Sequence, residues 1–260
     1  MQTRSAVNSS VRLNETKLVE LPVRHRFSSV ADPASDPHLN GTYYRNNPTW
    51  HVEYSPWKAE NIHRLLERRQ LSPKVICEVG CGAGEVLRQL QLRMDPECRF
   101  FGYDVAEPAI RMAKQRENQR LHFELADFGE IETPAADLIL ALEVVDHVED
   151  YMRFLRMLKT KPGLKLFSFS LDLSAQNVLR KGALLERREL RSHLHHFHSE
   201  TALAVLRDTG HEVLETSYHL SPAFSTRAKL ARPVRQLAYK LFPDFTRRIF
   251  GGYSLSVLTR

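Results

Sequence analysis

From Lys74 onward, short β-branched or aromatic runs alternate with longer segments whose apolar residues recur every three or four positions. The strand-like runs fall at 75–79, 99–103, 121–125, 137–142, 164–171, 211–218 and 253–258. Helical patterns lie between them, one running from the first strand to Leu90 and others at 107–117, 149–158 and 199–207. Side chains alternate across a strand but return to one face of a helix after a turn, so the two periods separate the two classes. Their repeated alternation predicts βαβ units in a doubly wound α/β architecture, with a mainly parallel sheet covered on both faces. Upstream, Ser55-Pro56 opens a helix to about Arg69, with proline at the first helical position, where its missing N–H is no loss.

The first forty residues carry Pro22, Pro33 and Pro37 and no sustained hydrophobic period, so 1–40 is expected as a flexible leader and 41–260 as the folded domain. Tyr43, Tyr44, Trp50, His51 and Trp57 crowd the start of that domain, and 41–73 is expected to form an aromatic flap followed by a helix. Near the other end, Leu230, Val234, Leu237, Ala238 and Leu241 stand at helical spacing and mark a helical insertion over 221–251.

Composition narrows the class. With 260 residues, 42% of them hydrophobic, the chain can bury a large core, which excludes a disordered chain or a small disulfide scaffold. No run approaches the roughly 18 consecutive apolar residues of a membrane span, and residues 1–14 lack the apolar centre of a secretion signal, so a cytoplasmic protein is expected. Cys77, Cys81 and Cys98 are expected as reduced thiols. The net charge is +6, but residues 221–260 hold eight Lys or Arg against Asp244 alone, so the rest of the chain is nearly neutral. The basic stretch 227–248 suits either ordinary packing on the domain or peripheral contact with an anionic membrane. Nucleic acid is disfavoured, because aromatic stacking residues do not interleave regularly with the basic ones.

The first strand runs into Gly80-Cys81-Gly82-Ala83-Gly84 before a helix, and glycine lets such a turn approach a ligand closely. The alternating glycines fit neither the nicotinamide-binding spacing nor a P-loop. Glu78 precedes the first glycine by two residues, Asp104 ends the next strand, and Asp127-Phe128 follows the one after. An acid at the position of Asp104 can accept both hydroxyls of a ribose, and the three sites together read as a nucleoside cradle. Cys81 reads as a small side chain at a packed turn rather than a nucleophile, since spacing identifies no base partner for it.

These motifs resemble those of the class I S-adenosylmethionine-dependent methyltransferases of small-molecule type, over roughly residues 40–260. The resemblance rests on Glu78-Val-Gly80-Cys-Gly82-Ala-Gly84, Gly102-Tyr103-Asp104, Ala126-Asp127-Phe128 and the segment Leu-Glu-Val-Val-Asp-His-Val at 142–148. It implies a Rossmann-like, seven-stranded sheet whose last strand is antiparallel, with S-adenosyl-L-methionine as cofactor. It further implies that Glu78, Gly80 and Gly82 line the methionine portion, that Asp104 holds the ribose, and that Asp127 and Phe128 frame the adenine. Glu143 and His147 would lie beside the reaction crevice, and Cys81, Val105 and Glu143 complete the expected cofactor set.

Methyl transfer from a sulfonium is an in-line displacement, so the protein must chiefly position the acceptor and exclude water. Tyr43, Trp50 and His51 of the flap and Asp172 after the fifth strand are expected at the acceptor. His193 and His195, with His147, are the candidates for a base or polar contact, since an imidazole accepts a proton near neutrality. His196 and His198 are expected to face solvent or cap the following helix. No metal is expected, because no carboxylate cluster stands near the four histidines in the sequence. The expected activity is transfer of a methyl group to an oxygen, nitrogen or carbon of a small-molecule acceptor. An RNA or protein methyltransferase, or a silent cofactor-binding module, are the alternatives.

Overall fold

The computed structural model describes residues 36–132, 134–222 and 226–260, with 226–231 described by backbone alone. Most of the expected leader, residues 1–35, lies outside the described residues. Seven strands form one sheet: β1 (Val75–Val79), β2 (Arg99–Asp104), β3 (Leu121–Leu125), β4 (Leu138–Leu142), β5 (Leu164–Leu171), β6 (Val213–Leu220) and β7 (Tyr253–Thr259). Their order is β3-β2-β1-β4-β5-β7-β6. The pairs β1–β2, β1–β4, β2–β3 and β4–β5 are parallel, and β7 runs antiparallel to both β5 and β6. The doubly wound sheet with a reversed last strand is therefore the observed architecture.

Ten helices surround the sheet among the described residues: α1 (Thr42–Asn46), α2 (Ser55–Arg68), α3 (Glu85–Gln91), α4 (Glu107–Lys114), α5 (Tyr151–Thr160), α6 (Ala175–Leu179), α7 (Ala183–Arg191), α8 (Ser199–Asp208), α9 (Thr226–Leu241) and α10 (Pro243–Ile249). The strand alternation divides the core in two. On one face Cys77, Ile139, Phe167, Phe169 and Val257 pack with Leu155 and Leu158 of α5 and Leu206 of α8. On the other, Ile76, Phe100, Leu138, Leu140 and Leu166 pack with Leu65 and Leu66 of α2, Leu87 and Leu90 of α3 and Ile110 of α4. The central strand β4, Leu-Ile-Leu-Ala-Leu, is buried throughout, which is why it reads as a continuous apolar run.

Some helices depart from the periodic pattern. α6 and α7 were not expected, and α7 leaves Leu185 and Leu190 exposed, so its apolar positions do not trace a buried face. The basic insertion is two helices rather than one. Pro243 disfavours a helical conformation in the residue before it, and Phe242 turns out at φ −137° and ψ 70°. Among the described residues no helix is long and apolar enough to cross a membrane.

Candidate active site

The strand order reverses between β1 and β4, so the carboxyl ends of β1, β2 and β4 open one crevice, occupied by a cavity of about 310 Å³. Leaving β1, the chain turns through Gly80 and Gly82 with φ of 67° and 54°, values that disfavour any Cβ. Space is short as well. A Cβ on Gly80 would stand 2.6 Å from Val144 Cγ2, and one on Gly82 would stand 2.5 Å from Trp50 Cδ1. The N–H groups of Gly80 and Cys81 both donate to the Tyr103 carbonyl, at 2.8 and 3.0 Å, which ties the loop to β2.

Two carboxylates flank this loop. Asp104 Oδ2 accepts from Gly82 N–H and Oδ1 from Ala106 N–H, each at 2.8 Å, and burial raises its pKa despite these bonds. Each oxygen keeps a further lone pair for a ligand hydroxyl. Glu78 is buried with Oε2 lacking any hydrogen-bond partner, and burial pushes its carboxyl up to about 8, the Lys58 charge pulling the other way. Glu143 follows β4 at φ 58°, its N–H donating to the Ser168 carbonyl at 2.9 Å. Burial alone would raise the Glu143 carboxyl, but Lys58 of α2, which donates to Oε2 at 2.7 Å, and the Arg191 guanidinium together hold it below its usual range.

The opposite wall is built from histidines. His193 is buried, and its Nδ1 donates to Asp172 Oδ2 at 2.7 Å, while Arg187 Nη1 lies 2.9 Å from Asp172 Oδ1. Burial alone would raise the Asp172 carboxyl, but the hydrogen bond from His193 and the Arg187 guanidinium beside it hold it below its usual value. His147 Nδ1 donates to the Ser192 carbonyl at 3.0 Å, and its ring stands edge-on to His193 and His38 at 5.0 and 5.1 Å. Burial, reinforced by these neighbouring imidazoles, keeps His147 well below the ordinary imidazole range. Tyr43 stacks on His38 at 4.4 Å and meets Trp50 at 5.0 Å. Trp50 and His51 are consecutive left-handed residues, at φ 51° and 56°, a costly geometry for side chains of this size.

The cavity brings together Glu78, Gly80, Cys81, Gly82, Asp104 and Val105, together with Glu143. Tyr43, Trp50, His51, His147, Asp172 and His193 line its other side. Cys81 is buried and its thiol is pushed well above its usual pKa by burial, the state of a packed side chain rather than of a nucleophile.

A family model described as a methyltransferase domain matches residues 51–216. The chain belongs to this methyltransferase family. No curated protein sequence matches it. Among solved structures it is similar to magnesium protoporphyrin IX methyltransferase from Synechocystis PCC 6803 with bound S-adenosylhomocysteine. That match has a TM-score of 0.57 and 15% identity, and covers 86% of this chain and 99% of the other. It is also similar to the N-methyltransferase NodS from Bradyrhizobium japonicum WM9, likewise in complex with S-adenosylhomocysteine, at TM-score 0.54 and 20% identity over 86% and 98% of the two chains. A plantazolicin methyltransferase in complex with the same ligand matches at TM-score 0.55 and 16% identity, over 90% and 94%.

The methyltransferase is an S-adenosylmethionine-dependent enzyme, and its own residues fit that cofactor. The orphaned Glu78 oxygen suits the cofactor's ammonium. In calorimetry with S-adenosylhomocysteine, Asp104→Ala is expected to weaken binding by about 1.5 to 3 kcal/mol, the scale of hydrogen bonds to a charged group. Undiminished affinity would remove Asp104 from the ribose.

Three expected site residues do not line the cavity. Asp127 Oδ1 accepts from Gly129 N–H at 2.9 Å in the turn after β3, and Phe128 is buried in the core with its ring 5.4 Å from that of Tyr103. His195 requires a correction as candidate base. Its Nε2 donates to the Val148 and Glu149 carbonyls at 3.0 and 3.2 Å, and its ring lies 4.7 Å from Tyr151, at the entrance of α5. The pairing of His193 with His195 assumes regular extended chain. Instead Ser192 is left-handed at φ 58°, and Leu194 and His195 both donate their N–H to the Asp146 carbonyl, so the alternation breaks.

His196 Nδ1 comes 3.4 Å from Asp172 Oδ2, and His198 caps α8 by accepting from Glu200 N–H at 3.4 Å. Ligand atoms of Asp172, His193 and His196 lie within 4.8 Å of one another, so the carboxylate absent from the histidine run arrives from the end of β5. Arg187 already supplies that carboxylate with a cation.

Sequence reasoning missed Lys58, Asp36, His38, Arg187 and Arg191, all of which line the cavity. Asp36 and His38 fall within the expected leader. The spacing of Arg187 and Arg191, one turn apart on α7, was the signal available for the last two.

Proposed function

We propose that the methyltransferase acts on a small molecule whose acceptor oxygen or nitrogen carries a dissociable proton, with His193 as the base. The observation that carries this reading is the Asp172–His193 hydrogen bond at the cavity wall. A carboxylate that accepts Nδ1–H fixes the tautomer and frees Nε2 to accept a proton, the same division of roles that orients an imidazole base in acyl transfer. When bound, S-adenosylmethionine supplies an electrophilic methyl group on a sulfonium. The chain's part is to hold the acceptor on the histidine side, to take its proton on His193 Nε2, and to keep water out with Tyr43 and Trp50. Glu78 and Asp104 serve the cofactor's ammonium and ribose, and the Lys58–Glu143 pair fixes α2 and the flap above it.

The cavity of about 310 Å³, with Tyr43 and Trp50 of the flap in its wall, favours a small acceptor over a polymer. Incubation of the enzyme with methyl-labelled cofactor and a metabolite extract is expected to yield a labelled product of low molecular mass. Label confined to RNA or protein would overturn the small-molecule reading. Cofactor binding without turnover against any fraction would reduce the protein to a binding module.

A further inference from the structure

The α9–α10 insertion is amphipathic in the opposite sense to a helix packed on its own domain. Val234, Leu237 and Leu241 recur on one side of α9 and, with Phe242 and Phe245 at the turn into α10, are each at least 60% exposed. Three cations of the same stretch, Arg232, Arg235 and Arg247, face the domain. The Arg235 guanidinium lies 5.6 Å from the Tyr253 ring centre, Arg247 lies 3.7 Å over Tyr218, and Arg232 donates to the Ser221 carbonyl at 3.2 Å. Val234, Leu237 and Leu241 of the apolar spacing legible in the sequence are thus not consumed by packing. α10 also touches α6, where Val178 and Leu179 are exposed too. Large apolar side chains exposed together along one short stretch, from Val234 to Phe245, mark an interaction site.

Its occupant is set by the charges around it. Lys240, Lys181 and Arg188 are exposed and form no ion pair among the described residues. Asp244, the one acid of residues 221–260, is bound by Arg247 and Arg248. A second copy meeting this face through a twofold axis would oppose like charges, whereas lipid phosphates would neutralise them. We propose that the α9–α10 cap, with the end of α6, docks on an anionic lipid surface, inserting Leu241, Phe242 and Phe245 below the headgroups that Lys240 meets. Ser221, Gly252 and Tyr253, at the two roots of the insertion, line the cavity, so docking sets the active site beside the bilayer. The inference does not depend on the acceptor or on His193.

Flotation of the full chain with vesicles tests it. At low ionic strength the protein is expected to float with phosphatidylcholine–phosphatidylglycerol vesicles, less with phosphatidylcholine alone, and to be released by salt, which screens exposed charges. Phe242→Ser/Phe245→Ser is expected to lower partitioning by at least about tenfold, given the transfer free energy of a phenylalanine side chain. Unchanged S-adenosylhomocysteine affinity shows that the double variant is folded. Lys240→Glu is expected to erase part of the preference for phosphatidylglycerol. Failure of the wild-type chain to float at low salt, or equal flotation of the serine variant, overturns the proposal. So does a dimer, seen by sedimentation, that the serine pair converts to monomer, since a second copy would then cover the patch.

Discussion

His193→Ala is expected to slow methyl transfer by roughly 10²- to 10⁴-fold while S-adenosylhomocysteine binds with unchanged affinity. The loss belongs in kcat if His193 takes the proton in the transition state, and in KM if it only positions the acceptor. His195→Ala is the contrasting variant. Its ring is engaged by the Val148 and Glu149 carbonyls, outside the cavity, so it is expected to retain activity and to lose only local stability at the entrance of α5. His147→Ala separates the two buried imidazoles further. Its Nδ1 is committed to the Ser192 carbonyl and burial makes it a poor base, so its removal is expected to disturb acceptor placement more than proton transfer. Rates measured with the true acceptor decide the matter: full activity in His193→Ala would hand the acceptor to the flap, with Tyr43 and Trp50.

The strands and the glycine turn were legible because their signals are local. Val75 to Val79 is a short, mostly apolar run leading straight into the glycines, and Gly80 and Gly82 stand where the backbone needs positive φ and room beside Val144 and Trp50. Glu78 and Asp104 follow from strand ends, whose position in a parallel sheet fixes where their side chains meet. The histidine wall was less legible because chain geometry, not composition, selects its members. Ser192 at φ 58° turns His193 inward and sends His195 elsewhere, and no apolar period records a single left-handed residue. Phe128 illustrates the same limit, since an aromatic residue after β3 satisfies a core and an adenine wall equally well. Asp36 and His38 were hidden by a proline-rich, aperiodic neighbourhood, in which His38 packs on nearby Tyr43 and on His147, far along the chain. The basic insertion gave its helical period but not its orientation. That depended on Arg235 and Arg247 finding aromatic faces on the domain.

Glu78→Gln is expected to stabilise the ligand-free methyltransferase at and above pH 8 while weakening S-adenosylhomocysteine by roughly 10- to 150-fold, the equivalent of about 1.5 to 3 kcal/mol. Burial raises the folded-state pKa of Glu78 from 4.5 to about 8. Between these values the folded chain holds a proton that the unfolded chain has released. The stability contributed by this proton is fully present below about pH 4.5 and is lost as pH rises toward and through about 8. Glutamine has no proton to lose, so the difference in Tm between variant and wild type should grow across that interval and level off above it. The cofactor's ammonium reverses the balance, because a cation beside Glu78 favours the carboxylate. Binding to the wild-type enzyme below about pH 8 should therefore release a proton, and affinity should rise with pH until Glu78 is ionised. Calorimetry in buffers of different ionisation enthalpy measures that proton directly. Equal proton release by wild type and Glu78→Gln, or parallel Tm-against-pH curves, would mean that another group titrates and that Glu78 is not the carboxylate that receives the ammonium.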